Sequence, residues 1–208
     1  MLKFPRSKQL ALDQRIAKFA VRGLAKAPVT PNMVTGGSIL VGVLAAVLFA
    51  QGGLFIHWGA GVFVVVVWMD HVDGELARET GATSEFGHYF DHAAAMLNYV
   101  MMFVGAGFGL GEGILGTSGP FLGIGAGVSV AAIMFVRIYG EERIGRSFAN
   151  QKVRAGFEIE DVLYVVAPIT WFGFLDYFIF LAGVGAPLFL LYVVWDCRRK
   201  IRQQGSNS

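Results

Sequence analysis

Apolar runs of about 20 residues recur along this chain, and a helix of that length crosses the hydrocarbon core of a bilayer. In lipid every backbone N–H and C=O must be satisfied within the structure, so the choice narrows to helices or a closed barrel. The short alternating segments of a membrane barrel are not seen. Composition points the same way. The chain is 55% hydrophobic and 15% charged, whereas soluble domains are about a quarter charged. Its 28 glycines suit helices that pack closely in lipid. The predicted class is an all-α integral membrane protein.

Six transmembrane helices are predicted, at 31–51, 54–77, 91–110, 121–139, 161–175 and 178–196, with Pro168 a point of kinking in the fifth. The 17 Lys and Arg residues orient them. They fall before the first span, just after the second, between the fourth and fifth, and after the last, counting Arg137 at the end of the fourth. Six crossings put these regions on one side, which the positive-inside rule makes cytoplasmic. Both termini are then cytoplasmic, and the expected location is a bacterial-type inner membrane. In "SKQLALDQRIAKFAVRGLAKAP", Leu10, Ile16, Phe19, Ala20 and Leu24 recur at helical spacing between Lys and Arg. Residues 1–27 are predicted to form an amphipathic juxtamembrane helix whose bases meet anionic lipid, the alternative being an ordinary solvated helix, and no nucleic-acid partner is expected. A six-helix domain over 28–200 and a disordered tail over 201–208 complete the expected organisation. No cleavable signal peptide is expected in the charged first 27 residues. A single cysteine, Cys197, allows no internal disulfide.

The stretch "MDHVDGELARETGATSEFGHYFDHAAAM" carries the chemistry. Asp70 and Asp73 are three apart and share a face of the second helix. Small residues Gly74 and Ala77 leave room beside them. Asp91 is expected to open the third helix, so three carboxylates from two antiparallel helices can converge at the cytoplasmic surface. Unpaired acids near hydrocarbon are costly. Two resolutions stay open: salt bridging, chiefly with Arg78, or divalent cations held by carboxylate oxygens. Three acids against one arginine favour metal, and metal plus arginine beside a small-residue pocket points to a phosphate-bearing ligand. His71, His88 and His92 flank these acids and are weaker candidates for metal ligands. The glycines at 105, 107, 109 and 111, and at 123, 125 and 127, read as packing surfaces.

Asp70, Asp73-Gly74, Ala77-Arg78, Gly87 and Asp91, at this spacing, resemble the signature of the CDP-alcohol phosphotransferase family. Seven of its eight fixed positions match. "TPNMVT", Thr30 to Thr35, resembles the family's lead-in to its first span, and six spans behind an amphipathic helix resemble its architecture. The resemblance implies transfer of a substituted phosphate from a CDP-alcohol, CDP-diacylglycerol in phospholipid synthesis, to an acceptor alcohol with release of CMP. It implies one or two Mg²⁺ or Mn²⁺ ions on Asp70, Asp73 and Asp91, with Arg78 on the diphosphate. Gly74, Ala77 and Gly87 would admit the cytidine, and Asn32 and Thr35 would reach the nucleotide. A homodimer is expected. The eighth position departs from the pattern: the family has a fourth Asp, a metal ligand and general base, where this chain has Ala95. The chain is therefore expected to be inactive or weakly active. Two origins stay open, a deliberate replacement of Asp, which the intact remainder of the motif favours, or a natural member with altered chemistry.

The acceptor is less defined. Arg137, Arg143, Arg146, Lys152 and Arg154 form a basic cluster at the cytoplasmic mouth. It fits a polar, phosphorylated acceptor such as glycerol phosphate or inositol phosphate, or equally a positive-inside loop touching lipid headgroups. Two other functions stand beside the transferase: a non-catalytic nucleotide-binding member, and a carboxylate-gated cation transporter. The second would want its acids near the bilayer midplane.

Overall fold

The computed structural model describes Val21, residues 23–111, 113–144 and 164–205. Six α-helices are found among them: α1 (Pro31–Gln51), α2 (Phe55–Thr80), α3 (Glu85–Gly109), α4 (Gly119–Ile144), α5 (Val166–Trp171) and α6 (Leu175–Gly205). A 3₁₀ turn at Gly116–Ser118 leads into α4. There is no strand among the described residues. Helix α1 lies against α2 and α3, α3 against α4, α4 against α6, and α5 against α2. The amphipathic segment, apart from its last residues, lies outside the described residues, as do Arg146, Lys152, Arg154 and the end of the tail.

Local chemistry explains the helix ends. Thr30 caps α1 by accepting from the Met33 amide at 3.3 Å, with Pro31 at the first helical position, where a missing N–H costs nothing. Helix α2 runs to Thr80 and stops at Gly81, whose φ of 68° is the left-handed conformation glycine adopts at little cost. Ser84 then caps α3, its hydroxyl accepting from the Gly87 amide at 3.0 Å, with Glu85 in the first turn. This corrects the expected start of the third helix. Asp91 is more than one turn inside α3 rather than at its beginning, because the Ser84 cap starts the helix earlier.

The fifth expected span is described only from residue 164 onward. Regular helix is interrupted at Val165 and resumes at Val166. Pro168 has no N–H to donate to the Tyr164 carbonyl, which accounts for a break at this point. Gly173, at φ 79°, turns the chain into α6, which begins before the expected Phe178.

Among the described residues, four helical stretches are long and apolar enough to cross a membrane: Pro31–Gln51, Phe55–Thr80, Gly116–Arg143 and Leu175–Gln203. Helix α3, 25 residues long, has the length as well, but Asn98, Tyr99 and several glycines dilute its apolar content. Phe49, Phe63, Val66, Met102, Phe103 and Ile179 fill the centre of the bundle. Leu40, Trp58, Phe121, Leu181 and Leu191 face outward, each at least 65% exposed. Outward apolar side chains over this length need lipid around them.

Of the glycines expected at packing surfaces, Gly105, Gly107, Gly109, Gly123 and Gly127 lie tight against the backbone of neighbouring helices, and Gly111 and Gly125 do not. A Cβ on Gly105 of α3 would run into the backbone oxygen of Ala46 on α1. On the opposite face, one on Gly123 of α4 would strike the Phe103 carbonyl and lie 3.0 Å from the Gly107 Cα. Only hydrogen fits at these crossings. Gly105→Ala is therefore expected to destabilise the bundle by about 1–3 kcal/mol, the usual cost of overpacking, read as a lowered thermal midpoint in detergent.

Candidate functional site

The N-terminal ends of α1 and α3 meet the C-terminal end of α2 at one end of the bundle. Tyr89, early in α3, donates to Glu142, late in α4, at 2.7 Å, so the end of α4 lies there too. Helix α6 starts at the opposite end, where a Cβ on Gly113 would lie 2.6 Å from Asp176 Oδ1, and runs back. Arg78, Arg137 and Arg143 belong to the helix ends that gather around this site.

A cavity of about 230 Å³ opens between the three helices. Asp73, Gly74, Ala77 and Arg78 line it from α2; Pro31, Asn32 and Thr35 from α1; Gly87, His88 and Asp91 from α3. Two helix N-termini thus border it, and the partial positive charge there favours an anionic ligand. Gly87 is needed at the junction. A Cβ on it would lie 3.0 Å from Ser84 Oγ and 3.2 Å from Asn32 Oδ1.

The carboxylates differ in their surroundings. Asp73 is 3% exposed. Its Oδ2 accepts from Thr35 Oγ1 at 2.6 Å, and its Oδ1 is buried without a hydrogen-bond partner among the described residues. Asp91 is half-buried, and its Oδ1 is likewise buried and unpartnered. Buried acceptors left unmatched cost about 1–3 kcal/mol each, more when charged. Asp70 is half-buried and does not line the cavity. Among the described residues, no group of three His, Cys, Asp or Glu side chains is disposed to hold a metal ion. Arg78 is exposed and pairs with Glu75 at 3.0 Å. Of the two resolutions left open for the acids, salt bridging with Arg78 is not formed, because Glu75 sits one turn away on the same helix face and takes the arginine.

Ala95 lies one turn beyond Asp91, 8% exposed, in the apolar core with Val66, Val67 and Tyr99. Of the basic cluster, Arg137 is half-buried in α4 and Arg143 stacks on the Tyr139 ring at 5.6 Å. Neither lines the cavity. His71 Nδ1 lies 2.9 Å from the Val67 carbonyl and 3.4 Å from the Tyr164 hydroxyl. His92 Nδ1 lies 3.0 Å from the His88 carbonyl. Sequence reasoning missed Ser84 and Thr83 as lining residues. Ser84 stands three residues before Gly87, the spacing of a helix cap, and that was the available signal.

A helical bundle with outward apolar faces and a polar cavity of acids, an arginine and small residues at one end defines a class: helical integral membrane proteins. Residues 28–195 match the CDP-alcohol phosphatidyltransferase family, and the chain belongs to that family. Among curated relatives, phosphatidylinositol phosphate synthase of Mycolicibacterium smegmatis is 36% identical over 110 residues, covering 50% of this chain and 47% of that protein. The enzyme of the same name from Cutibacterium acnes is 30% identical over 99 residues, covering 46% of this chain and 47% of that protein. The chain thus spans about half the length of the curated relatives it matches. The crystal structure of Mycobacterium tuberculosis phosphatidylinositol phosphate synthase with CDP-DAG bound superposes with a TM-score of 0.63 at 24% identity, over 90% of this chain and 92% of that one. That likeness establishes the fold.

Proposed function

We propose that this chain binds a CDP-alcohol, CDP-diacylglycerol, and is built to transfer its substituted phosphate to an acceptor alcohol with release of CMP. One observation carries the reading. Asp73 and Asp91, on two helices, each bring a buried, unpartnered carboxylate oxygen to a single cavity bordered by Arg78, Gly74, Ala77 and Gly87. Hard oxygen donors without partners fit Mg²⁺ or Mn²⁺, so Asp73 and Asp91, with Asp70 beside them, are the residues to hold one or two ions. Bound there, metal would polarise the phosphoryl group and offset charge on the departing CMP.

The chain's own residues do the rest. Arg78 turns from Glu75 to the diphosphate, where its planar fork suits phosphate oxygens. The N-termini of α1 and α3 add fixed positive potential. Gly74, Ala77 and Gly87 let the cytidine lie against backbone, with Asn32 at the rim. The diacylglycerol tails lie in the bilayer beside the exposed apolar faces. Six crossings, with the site and both termini cytoplasmic, would bring a soluble acceptor to the same mouth. Given the relatives' names and the bases at Arg137, Arg143, Arg146, Lys152 and Arg154, the acceptor is a phosphorylated polyol, inositol phosphate first. The test is CMP release by the Ala95→Asp protein with CDP-diacylglycerol and a panel of inositol phosphate, glycerol phosphate and free inositol. Release with inositol phosphate alone is the expected result. No release with any of the three would sink the transferase reading.

Ala95 favours one further reading for the chain as it stands, a member that binds the donor without turnover. No carboxylate stands one turn beyond Asp91 to take the acceptor's proton.

A further inference from the structure

A line of buried polar groups runs from the cavity into the bundle. Asn98 on α3 donates from Nδ2 to Ser38 Oγ on α1 at 3.3 Å. Ser38 donates to the Thr35 carbonyl at 2.7 Å. Thr35 Oγ1 donates to Asp73 Oδ2 on α2 at 2.6 Å. Thr35, Ser38, Asp73 and Asn98 are each 3% exposed. Asn98 lies seven residues beyond Asp91, about 10 Å deeper along α3 at helical rise.

Three features set this line apart from ordinary polar packing. The Thr35 hydroxyl has two acceptors in reach, the Pro31 carbonyl at 3.1 Å and Asp73 Oδ2 at 2.6 Å, and the shorter contact is the one to the carboxylate, as suits an ionised group at the end of the line. The line joins three helices through residues 38 and 60 positions apart in sequence. It is also costly, since Asn98 Oδ1 is buried with no partner among the described residues. Gly42 makes room for it, because a Cβ there would collide with Asn98 Oδ1. An apolar side chain at position 98 would avoid that cost, so stability alone does not account for the asparagine.

We propose that Thr35, Ser38 and Asn98 are positioning residues for Asp73. The Thr35 hydroxyl occupies Oδ2 and fixes the carboxylate's rotation, which leaves Oδ1 for a divalent cation. Ser38 and Asn98 hold that turn of α1 against α3. Thr35 therefore acts through Asp73 rather than as a nucleotide ligand. This inference rests on the functional reading of the Asp73–Asp91 cavity.

The experiment titrates Mn²⁺ into the full chain in detergent with CDP-diacylglycerol present, and follows free Mn²⁺ by its paramagnetic resonance signal. Partners of metal-ligating groups typically contribute about ten- to a hundredfold in affinity. Thr35→Val, which keeps the shape and loses the donor, is expected to weaken Mn²⁺ binding within that range. Thr35→Ser, which keeps the hydroxyl, should restore it. Asn98→Ala should weaken it by a smaller factor. Asp73→Asn separates the two levels. If Asp73→Asn weakens binding while Thr35→Val or Asn98→Ala leaves it unchanged, the positioning line is overturned and the site reading stands. If Thr35→Ser binds as poorly as Thr35→Val, packing rather than the hydroxyl matters, and the line is again overturned. If Asp73→Asn binds like the unaltered chain, the site reading falls and takes this inference with it.

Discussion

The Ala95→Asp protein is expected to release CMP at least about a hundredfold faster than the chain as it stands, once donor and acceptor are present. Residues 91 and 95 are one helical turn apart, so a carboxylate at 95 would stand above Asp91 on the same face of α3. General-base assistance contributes about 10²–10⁴-fold on its own, and a further metal ligand adds to that. The site has a cost to meet. Ala95 sits in the apolar core, and an isolated carboxylate there would be poorly solvated. Ala95→Asp should therefore lower the thermal midpoint without divalent metal and recover it when Mg²⁺ and CDP-diacylglycerol are added. Both readouts come from one preparation. Equal turnover by the two proteins would exclude position 95 as the site of the base, and His88 or His92 would then be tested in that role.

The second large effect concerns Asp73. Asp73→Asn should weaken Mg²⁺-dependent binding of CDP-diacylglycerol by at least about a hundredfold, the upper end of what even indirect ligand support contributes. The amide keeps the volume and can still accept from Thr35 through its oxygen, so the bundle should remain folded. What it loses is the charge that a hard cation needs. Calorimetry with and without Mg²⁺ measures it. Binding that is indifferent to both metal and Asp73→Asn would remove the metal from the site. Asp70→Asn is the useful companion, because Asp70 does not line the cavity and its loss should matter less.

Much of this was legible in the chain. The run 31–51 was expected as a helix, and α1 occupies those residues. Its boundaries were plain because Thr30 and Pro31 mark the start and Gly52 the end. The motif residues Asp73, Gly74, Ala77, Arg78, Gly87 and Asp91 line one cavity, whereas Asp70, which the spacing placed with them, does not. Less legible were features that compete over short distances. Asp91 was expected at a helix start because the apolar run begins there, but the cap at Ser84 is a local hydrogen bond that hydropathy does not register. Salt bridging of Arg78 to the aspartates was one of two resolutions left open, and Glu75, also one turn away, takes the arginine instead.

The sequence by itself determined the class, since apolar runs of bilayer length leave a helical bundle as the ready way to satisfy their backbone. It determined the family signature and its gap at Ala95, because residue type and spacing are properties of the chain alone. The tertiary structure decided which carboxylates share the cavity. Asp70 and Asp73 lie on neighbouring parts of one helix face, and only the seating of α1 and α3 against α2 leaves Asp73 inside and Asp70 beside it. It likewise decided that Thr35 meets Asp73 and that Asn98 meets Ser38. Those partners are far apart in the chain, and what brings them within hydrogen-bond reach is the close approach of helices at residues such as Gly42 and Gly105. The depth of that approach follows from what each glycine faces across the interface, and no reading along a single helix contains it.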